Sequence, residues 1–353
     1  MTAIRAPMRT VVLHAGMHKT ASTYIQRCLR KNRSWLESSL NVITPRIRRD
    51  NTELLDATIS ADFQPWQQWL DQAEAKGCQL LVSQEAFSTV LHRSCQKDDA
   101  SCIGHWLLTQ LMAAGWNLRL VAFIRDQESY LNSRYTQLVK RLRVDSSFEH
   151  YATQAMQGDG ISQCNLMTLL GWACPSAGLD SVMIPFGSPF ETDGSRLPSR
   201  PDPFHQLLAT LGSNTLKTDE ALTVKARNQQ PGRLGVALAI EISTYMKTHH
   251  PIQLKTHRKQ ISAAIESIAE QRDWSKHPFS GPNQELRETI RLNYQHSNAT
   301  FCNQFWPKAN WNTLFPHHQN TTNEQPAELN MDDKALILDL RNQIINATLE
   351  GSK

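Results

Sequence analysis

A short apolar run near the start of the chain is followed by a glycine, a lysine and several hydroxyl residues. The run is TVVLH at residues 10–14, and after it come Gly16, Lys19, Thr20, Ser22 and Thr23. Such a run predicts a buried parallel strand, and a helix is predicted from about Ser22 to Asn32. The start of a helix directs backbone N–H groups and the positive end of its dipole at the preceding loop. The pattern predicts a site for a phosphate or a sulfate ester; the alternative is an ordinary strand-to-helix turn with a capping serine.

The loop differs from the phosphate loop of ATP and GTP sites. Those sites use Gly-x-x-x-x-Gly-Lys-Ser/Thr, whereas residues 16–23 read GMHKTAST, with no second glycine before the lysine. His14 and His18 flank this loop. His14 shares a strand face with Val12, so it is either a core histidine or a ligand-facing one, while His18 lies in the loop itself.

Polar residues also follow the next two predicted strands, at residues 78–83 and 116–124. Glu85 comes after the first of them, and a carboxylate there would repel an anion but is well placed to accept a proton from a nucleophile. The alternative is a surface glutamate or the partner of a base. Arg125 ends the second strand, and Ser133 follows eight residues later, about two turns into a predicted helix over 127–143. An arginine fork and a hydroxyl at this spacing predict a clamp for a second anionic group.

The elements that must position these residues alternate along the chain. A further strand is predicted over 179–186, and helices are predicted over 65–76 and 104–115. This alternation predicts an α/β fold with a central parallel β-sheet flanked by helices. The part after residue 201 is predicted to be mostly helical, and it ends in an amphipathic helix over 334–350. The Gly-, Pro- and Ser-rich segment 187–203 is predicted to be a loop.

The composition narrows the class of protein. The chain has 353 residues, 40% of them hydrophobic, and a net charge of +4, which is too mild to indicate nucleic-acid binding. Its seven cysteines include no Cys-x-x-Cys pair, so we expect reduced thiols and no zinc site. The N-terminus lacks an apolar signal-peptide core, and no run is long enough to span a membrane. We therefore expect a cytoplasmic protein without a membrane or nucleic-acid partner.

Taken together, the three strand ends resemble the PAPS-dependent sulfotransferases, a family with a P-loop-like fold whose sulfuryl donor is 3′-phosphoadenosine 5′-phosphosulfate (PAPS). HKTASTYIQ at 18–26 resembles the family's Lys-x-Gly-Thr-Thr loop, and the histidine before the lysine resembles bacterial members. The eight-residue spacing of Arg125 and Ser133 and the element VSQEAF at 82–87 are also similar. The resemblance covers residues 9–316. One departure is Ala21, where the family usually has glycine, because a methyl group narrows the approach to phosphate if the residue needs a positive φ.

The resemblance implies a role for each of these residues. The loop, from Gly16 through His18, Thr20 and Ala21, would hold the 5′-phosphosulfate, chiefly through Lys19, Ser22 and Thr23. Arg125 and Ser133 would bind the 3′-phosphate. Tyr24 would lie beside the adenine, or else pack between helix and sheet, and Lys225 and Arg227 would lie in a loop that closes over the nucleotide.

The implied reaction is sulfuryl transfer from PAPS to a hydroxyl or amine, releasing 3′-phosphoadenosine 5′-phosphate (PAP), with no metal. Lys19 would neutralise the charge that develops on the bridging oxygen. Glu85 would be the general base, with His18 and His14 as reserve candidates. The acceptor would be a small molecule or a carbohydrate, and the sequence does not indicate an oligomeric state.

Two other functions stay open at this point. A P-loop kinase would need Mg²⁺ held by a loop hydroxyl and a strand-end aspartate, and Asp126 is available for that role. A nucleotide-binding module without activity is the other. The predicted domain organisation is one sulfotransferase domain over 1–316, with acceptor-binding insertions at about 35–65 and 140–205, and a C-terminal extension over 317–353 with a terminal helix.

Overall fold

The computed structural model describes residues 9–17, 19–95, 102–157, 164–212, 223–224, 230–316 and 329–350. These residues divide into two compact units. The first comprises the described parts of Met1–Asp126, Ser162–Lys225 and Tyr294–His317, and the second those of Gln127–Ile161, Ala226–Asn293 and His318–Lys353. The single-domain boundary at residue 316 remains a prediction.

The first unit is built on a five-stranded sheet in which every neighbouring pair of strands is parallel. The strands are β1 (Thr10–His14), β2 (Val42–Ile43), β3 (Gln79–Ser83), β4 (Asn117–Ile124) and β5 (Leu179–Pro185). Their order across the sheet is β2-β3-β1-β4-β5, so β1 lies in the centre. In register, Val12 of β1 lies between Leu81 of β3 and Arg119 of β4. The predicted α/β class with a parallel sheet is confirmed, and β2 is an additional strand.

The helices follow in chain order, and their bounds complete the list of elements. They are α1 (Ser22–Lys31), α2 (Arg33–Leu40), α3 (Arg49–Ile59), α4 (Gln64–Ala75), α5 (Phe87–Val90), α6 (Ile103–Ala113), α7 (Gln127–Lys140), α8 (Phe148–Gln157), α9 (Leu166–Leu170), α10 (Pro203–Ala209), α11 (Gly232–His249), α12 (Pro251–Gln271), α13 (Gln284–Phe305), α14 (Trp311–Leu314) and α15 (Met331–Glu350). Short 3₁₀ turns occupy Gly171–Ala173 and Trp274–Lys276.

The core of the first unit lies on both faces of the sheet. On one face, α1, α2 and α10 pack their apolar side chains against the sheet. This cluster includes Val12, Leu81, Val121 and Phe123 of the strands and Ile25, Leu29, Leu36, Phe204 and Leu207 of the helices. The strand residues that point the other way, such as Leu13 and Val82, are fully buried as well, and α4 contacts β3 while α6 contacts β4. Each such side chain contributes roughly 1.5–3 kcal/mol when it is fully buried, so the central strand is firmly held.

The second unit is helical, which confirms the predicted helical C-terminal part. Its helix α11 packs against α7, α12 and α15. The buried carboxylate of Glu128 on α7 pairs with both Arg287 and Arg291 of α13. An exposed pair, Lys247 with Asp145, lies 2.7 Å apart in the same unit. Of the helices that the structure describes, none combines the length and the apolar character needed to cross a membrane.

Candidate anion-binding site

The loop after β1 lies where the chain changes direction across the sheet. β3 pairs with one edge of β1 and β4 with the other, so the chain builds the sheet first on one side of β1 and then on the other. In open α/β sheets, ligands bind in the crevice outside the carboxyl ends of the strands at such a switch point. The sheet order therefore puts the residues after β1, β3 and β4 at one edge of the first unit.

The loop backbone turns through two left-handed residues that are not glycines. Lys19 has φ 70°, and Ala21 has φ 62° and ψ 13° immediately before α1. The hydroxyl of Thr20 donates to the carbonyl of Met17 at 2.6 Å and closes the turn between them. Ile25 N–H donates to the Ala21 carbonyl at 3.0 Å as the first bond of α1. The earlier N–H groups of the helix thus face the loop, as an anion site requires.

Gly16 is required here for close approach and not for a positive φ. A Cβ atom on Gly16 would lie 2.9 Å from Ser22 Oγ, 3.0 Å from His14 Nε2 and 3.3 Å from Thr20 Oγ1. Three polar atoms therefore surround one small volume beside the Gly16 backbone. Two of them, Ser22 Oγ and His14 Nε2, are buried and have no hydrogen-bond partner among the described residues. Most buried polar atoms are paired, and the convergence of two unpaired ones on one volume favours a ligand at this position.

His14 is positioned by the neighbouring strand. Its Nδ1 lies 2.8 Å from Ser83 Oγ in a hydrogen bond, and its ring makes a T-shaped contact with Phe123 at a centroid separation of 5.5 Å. His14 is 1% exposed, and Ser22 is 4% exposed. Burial lowers the pKa of His14 to about 4, and the nearby charge of Glu85 opposes that shift. The ring is therefore neutral at physiological pH.

Side-chain amides from two helices hold the end of β3. Gln26 of α1 and Asn51 of α3 both donate to the carbonyl of Ser83, at 3.1 and 2.8 Å. Asn51 is 1% exposed. Sequence reasoning gave neither amide a role, because nothing in the local pattern around them predicts that they meet the same carbonyl. This network fixes Ser83, which in turn fixes His14.

Arg125, which follows the end of β4, is hydrogen-bonded to the loop after β1. Its Nη1 donates to the carbonyl of Lys19 at 3.0 Å, and its guanidinium lies 5.8 Å from the centre of the Phe186 ring. Burial lowers the pKa of Arg125, and the adjacent Asp126 opposes the shift. An arginine stays charged in proteins, so this side chain adds a positive charge beside the anion loop.

Tyr24 joins α1 to α10. Its hydroxyl donates to Asp202 Oδ2 at 2.5 Å, and its ring packs against the apolar cluster beneath α1. The other oxygen of Asp202 accepts from the backbone N–H groups of Phe204 and His205 and so caps α10. Burial and the bond to Asp202 raise the pKa of the Tyr24 hydroxyl. This placement matches the packing alternative described for Tyr24, and its role beside adenine stays a prediction.

The remaining predicted site residues fall into three groups. Glu85 is half-buried in the turn after β3, near enough to His14 for its charge to affect the histidine pKa, and Thr23 is exposed on the first turn of α1. Ser133 is half-buried on α7 and belongs to the second unit. His18, Lys225 and Arg227 lie outside the described residues.

Comparisons of the chain with protein-family models, with curated proteins and with solved structures return no match. The chemistry of the site is set by its own residues. These offer hydroxyl, imidazole and backbone donors, two nearby cations in Lys19 and Arg125, and the carboxylate of Glu85 at the same sheet edge. Such a set suits an anionic group that is attacked by a nucleophile whose proton must be removed.

Proposed function

We propose that this protein is a sulfotransferase that moves a sulfuryl group from PAPS to a hydroxyl or amine of a small-molecule or carbohydrate acceptor. The observation that carries the proposal is the pair of buried, unpartnered polar atoms, Ser22 Oγ and His14 Nε2, beside Gly16 at the start of α1. Together with the sequence resemblance of the loop, this pair favours a specific anion ligand over an ordinary strand-to-helix turn.

The residues present fit a donor that carries two anionic groups. The N-terminus of α1, Ser22 and Lys19 would hold the 5′-phosphosulfate. Arg125 has one of its five donors occupied by the Lys19 carbonyl, so others remain for a second anion, the 3′-phosphate. Its bond to Lys19 would couple the two halves of the donor site, because a shift of Arg125 would move the loop.

PAPS, when bound, supplies a sulfuryl group that is activated by its bond to the 5′-phosphate. Glu85 would remove the proton from the acceptor as the acceptor's lone pair forms the new bond to sulfur. Lys19 would stabilise the negative charge on the bridging oxygen, which keeps the electron pair of the broken sulfur–oxygen bond and leaves with PAP. Positioned cations of this kind act without reorganisation at the moment of reaction.

The proposal is tested by incubating the protein with PAPS and a panel of hydroxyl and amine acceptors, and by identifying sulfated products by mass spectrometry. Glu85→Gln should lower turnover by roughly 10²–10⁴-fold, the usual contribution of a general base, while PAP still binds. Glu270→Gln is the matched control, because Glu270 is an exposed carboxylate on α12. Phosphorylated products with ATP and Mg²⁺, and none with PAPS, would favour the kinase.

A further inference from the structure

The second nitrogen of His14 is a buried polar atom that no described residue of the first unit pairs. Its Nδ1 is bonded to Ser83, whereas Nε2 is fully buried and has no partner in the part of the chain that the structure describes. Nε2 points at the same small volume beside Gly16 as the unpartnered hydroxyl of Ser22. An orphaned buried group costs free energy unless a ligand or water completes it.

The surroundings decide which form of the imidazole fits this position. A buried ring without a full counter-charge stays neutral and carries one proton, on either Nδ1 or Nε2. The N-terminus of α1 lies next to Nε2, and an anion at that terminus would be repelled by a nitrogen lone pair. A hydroxyl proton from Ser83 donated to Nδ1 leaves the ring proton on Nε2, where it faces the anion.

We propose that His14 is a neutral hydrogen-bond donor of the anion site, whose Nε2–H and the Ser22 hydroxyl bind the 5′-phosphosulfate together, so that His14 recognises the donor and is not the general base. This inference rests on the proposed function for the identity of the anion. Ser83 is a positioning residue, because it sets the proton on the far side of the ring, and the amides of Gln26 and Asn51 hold Ser83 in place.

The groups packed around His14 bear on how its role would change with pH. Ser83 on β3 and Phe123 on β4 contact the ring, and neither is charged. Glu85 is the charged group whose field reaches it. A neutral donor makes the same contribution to binding across the physiological range, whereas a base or a cationic ligand changes with its own protonation.

The test measures binding of inorganic pyrophosphate and of PAP by calorimetry. His14→Leu should weaken both ligands by about tenfold to hundredfold, the cost of losing a hydrogen bond to a charged group. His14→Gln, which can place an amide donor near the position of Nε2, should recover most of that loss. The matched control is His92→Leu, because His92 is a half-buried histidine of the first unit that also has a buried nitrogen without a hydrogen-bond partner among the described residues but lies outside the anion loop. Its removal should leave pyrophosphate affinity unchanged.

Two further measurements separate donor, base and scaffold. The ratio of wild-type to His14→Leu affinity should stay constant between about pH 6 and about pH 8. The loss in His14→Leu should fall mainly on the KM for PAPS, and His14→Gln should restore most of that KM, whereas removal of a general base would lower kcat by roughly 10²-fold or more in both variants. Ser83→Ala should weaken pyrophosphate binding in the presence of His14 and have no effect in the His14→Leu background, which a merely structural serine would not show.

Failure of this inference differs from failure of the proposed function. Wild-type anion affinity in a folded His14→Leu, or an affinity ratio that changes with pH, overturns the role of His14. If His14→Leu loses pyrophosphate binding, the role of His14 is supported. If the wild-type protein also shows no preference for PAP over adenosine 5′-phosphate, PAPS is removed as the ligand. A His14→Gln variant that folds but binds as weakly as His14→Leu also contradicts the donor assignment.

Discussion

Replacing Ala21 with glycine should stabilise the protein. Ala21 has φ 62° and ψ 13°, in the left-handed region, as the residue before α1. This conformation costs a non-glycine residue roughly 1–2 kcal/mol, whereas glycine gives up about 0.5–1 kcal/mol more chain entropy on folding than alanine does. The difference predicts that Ala21→Gly raises the free energy of unfolding by about 0.5–1 kcal/mol. The change also removes a methyl group from the anion loop, so pyrophosphate should bind at least as well.

The assay is equilibrium unfolding in urea, monitored with wild type and variants under the same conditions. Ala61→Gly is the matched control, because Ala61 has φ 50° in the turn after α3 and lies outside the anion loop. It should give a similar gain with no effect on pyrophosphate. Ala263→Gly lies in the middle of α12, where glycine should cost about 1 kcal/mol.

The reasoning is refuted if Ala21→Gly lowers the free energy of unfolding while Ala61→Gly raises it. Ala21 would then be held in a right-handed conformation, as part of the helix. Weaker pyrophosphate binding by Ala21→Gly would show that the methyl group orders the loop, and it would contradict the expectation that the methyl only narrows the approach.

Three other changes probe the site and the second unit. Gly16→Ala should abolish pyrophosphate binding in calorimetry, because its methyl group would lie 2.9 Å from Ser22 Oγ. Normal binding by this variant would contradict an anion site beside Gly16. When the pH falls from about 6.5 to about 4, the free energy of unfolding of wild type should fall by up to about 3 kcal/mol more than that of His14→Gln. The reason is that unfolded His14 takes up a proton in this range and the folded ring does not. An equal dependence of the unfolding free energy on pH in both proteins, measured by denaturant titration, would contradict a buried neutral ring. Glu128→Gln should lower the free energy of unfolding by about 3 kcal/mol, because it leaves two guanidinium groups unneutralised. Asp145→Asn, which removes an exposed ion pair, should lower it by less than about 1 kcal/mol. Equal losses for the two variants in urea unfolding would contradict the assigned burial of Glu128.

The strong hydrophobic patterns predicted most of the sheet and its long helices. The strand over 10–14 has the predicted bounds, and the helix predicted over 65–76 forms at Gln64–Ala75. The weakest patterns were missed. β2 has two residues and exists because Val42 and Ile43 pair with β3, which is a tertiary contact that no local periodicity reveals. Helix α3 begins in a charged, polar stretch and is stabilised by packing as α4 folds against it.

The place of the loop between β1 and α1 was predictable, but its geometry was not. The order of glycine, lysine and hydroxyls after an apolar run indicates an anion loop without any structure. Left-handed conformations at Lys19 and Ala21 leave no mark in the sequence, because neither residue is a glycine or an asparagine. The bond between His14 and Ser83 depends on the pairing of β1 with β3, which brings together residues 69 positions apart. Contacts of this kind follow from strand order, which the sequence does not state.

The most direct test of the central claim is calorimetric titration of the protein with PAP, with adenosine 5′-phosphate and with ATP in the presence of Mg²⁺. The account predicts that PAP binds most tightly and that removing its 3′-phosphate weakens binding by roughly 1.5–3 kcal/mol, the scale of a hydrogen bond to a charged group. Arg125→Ala should erase that difference, whereas Arg119→Ala, at the opposite end of the same strand, should keep it. Tighter binding of ATP with Mg²⁺ than of PAP, or equal affinity for PAP and adenosine 5′-phosphate, would contradict the assignment of this site to PAPS.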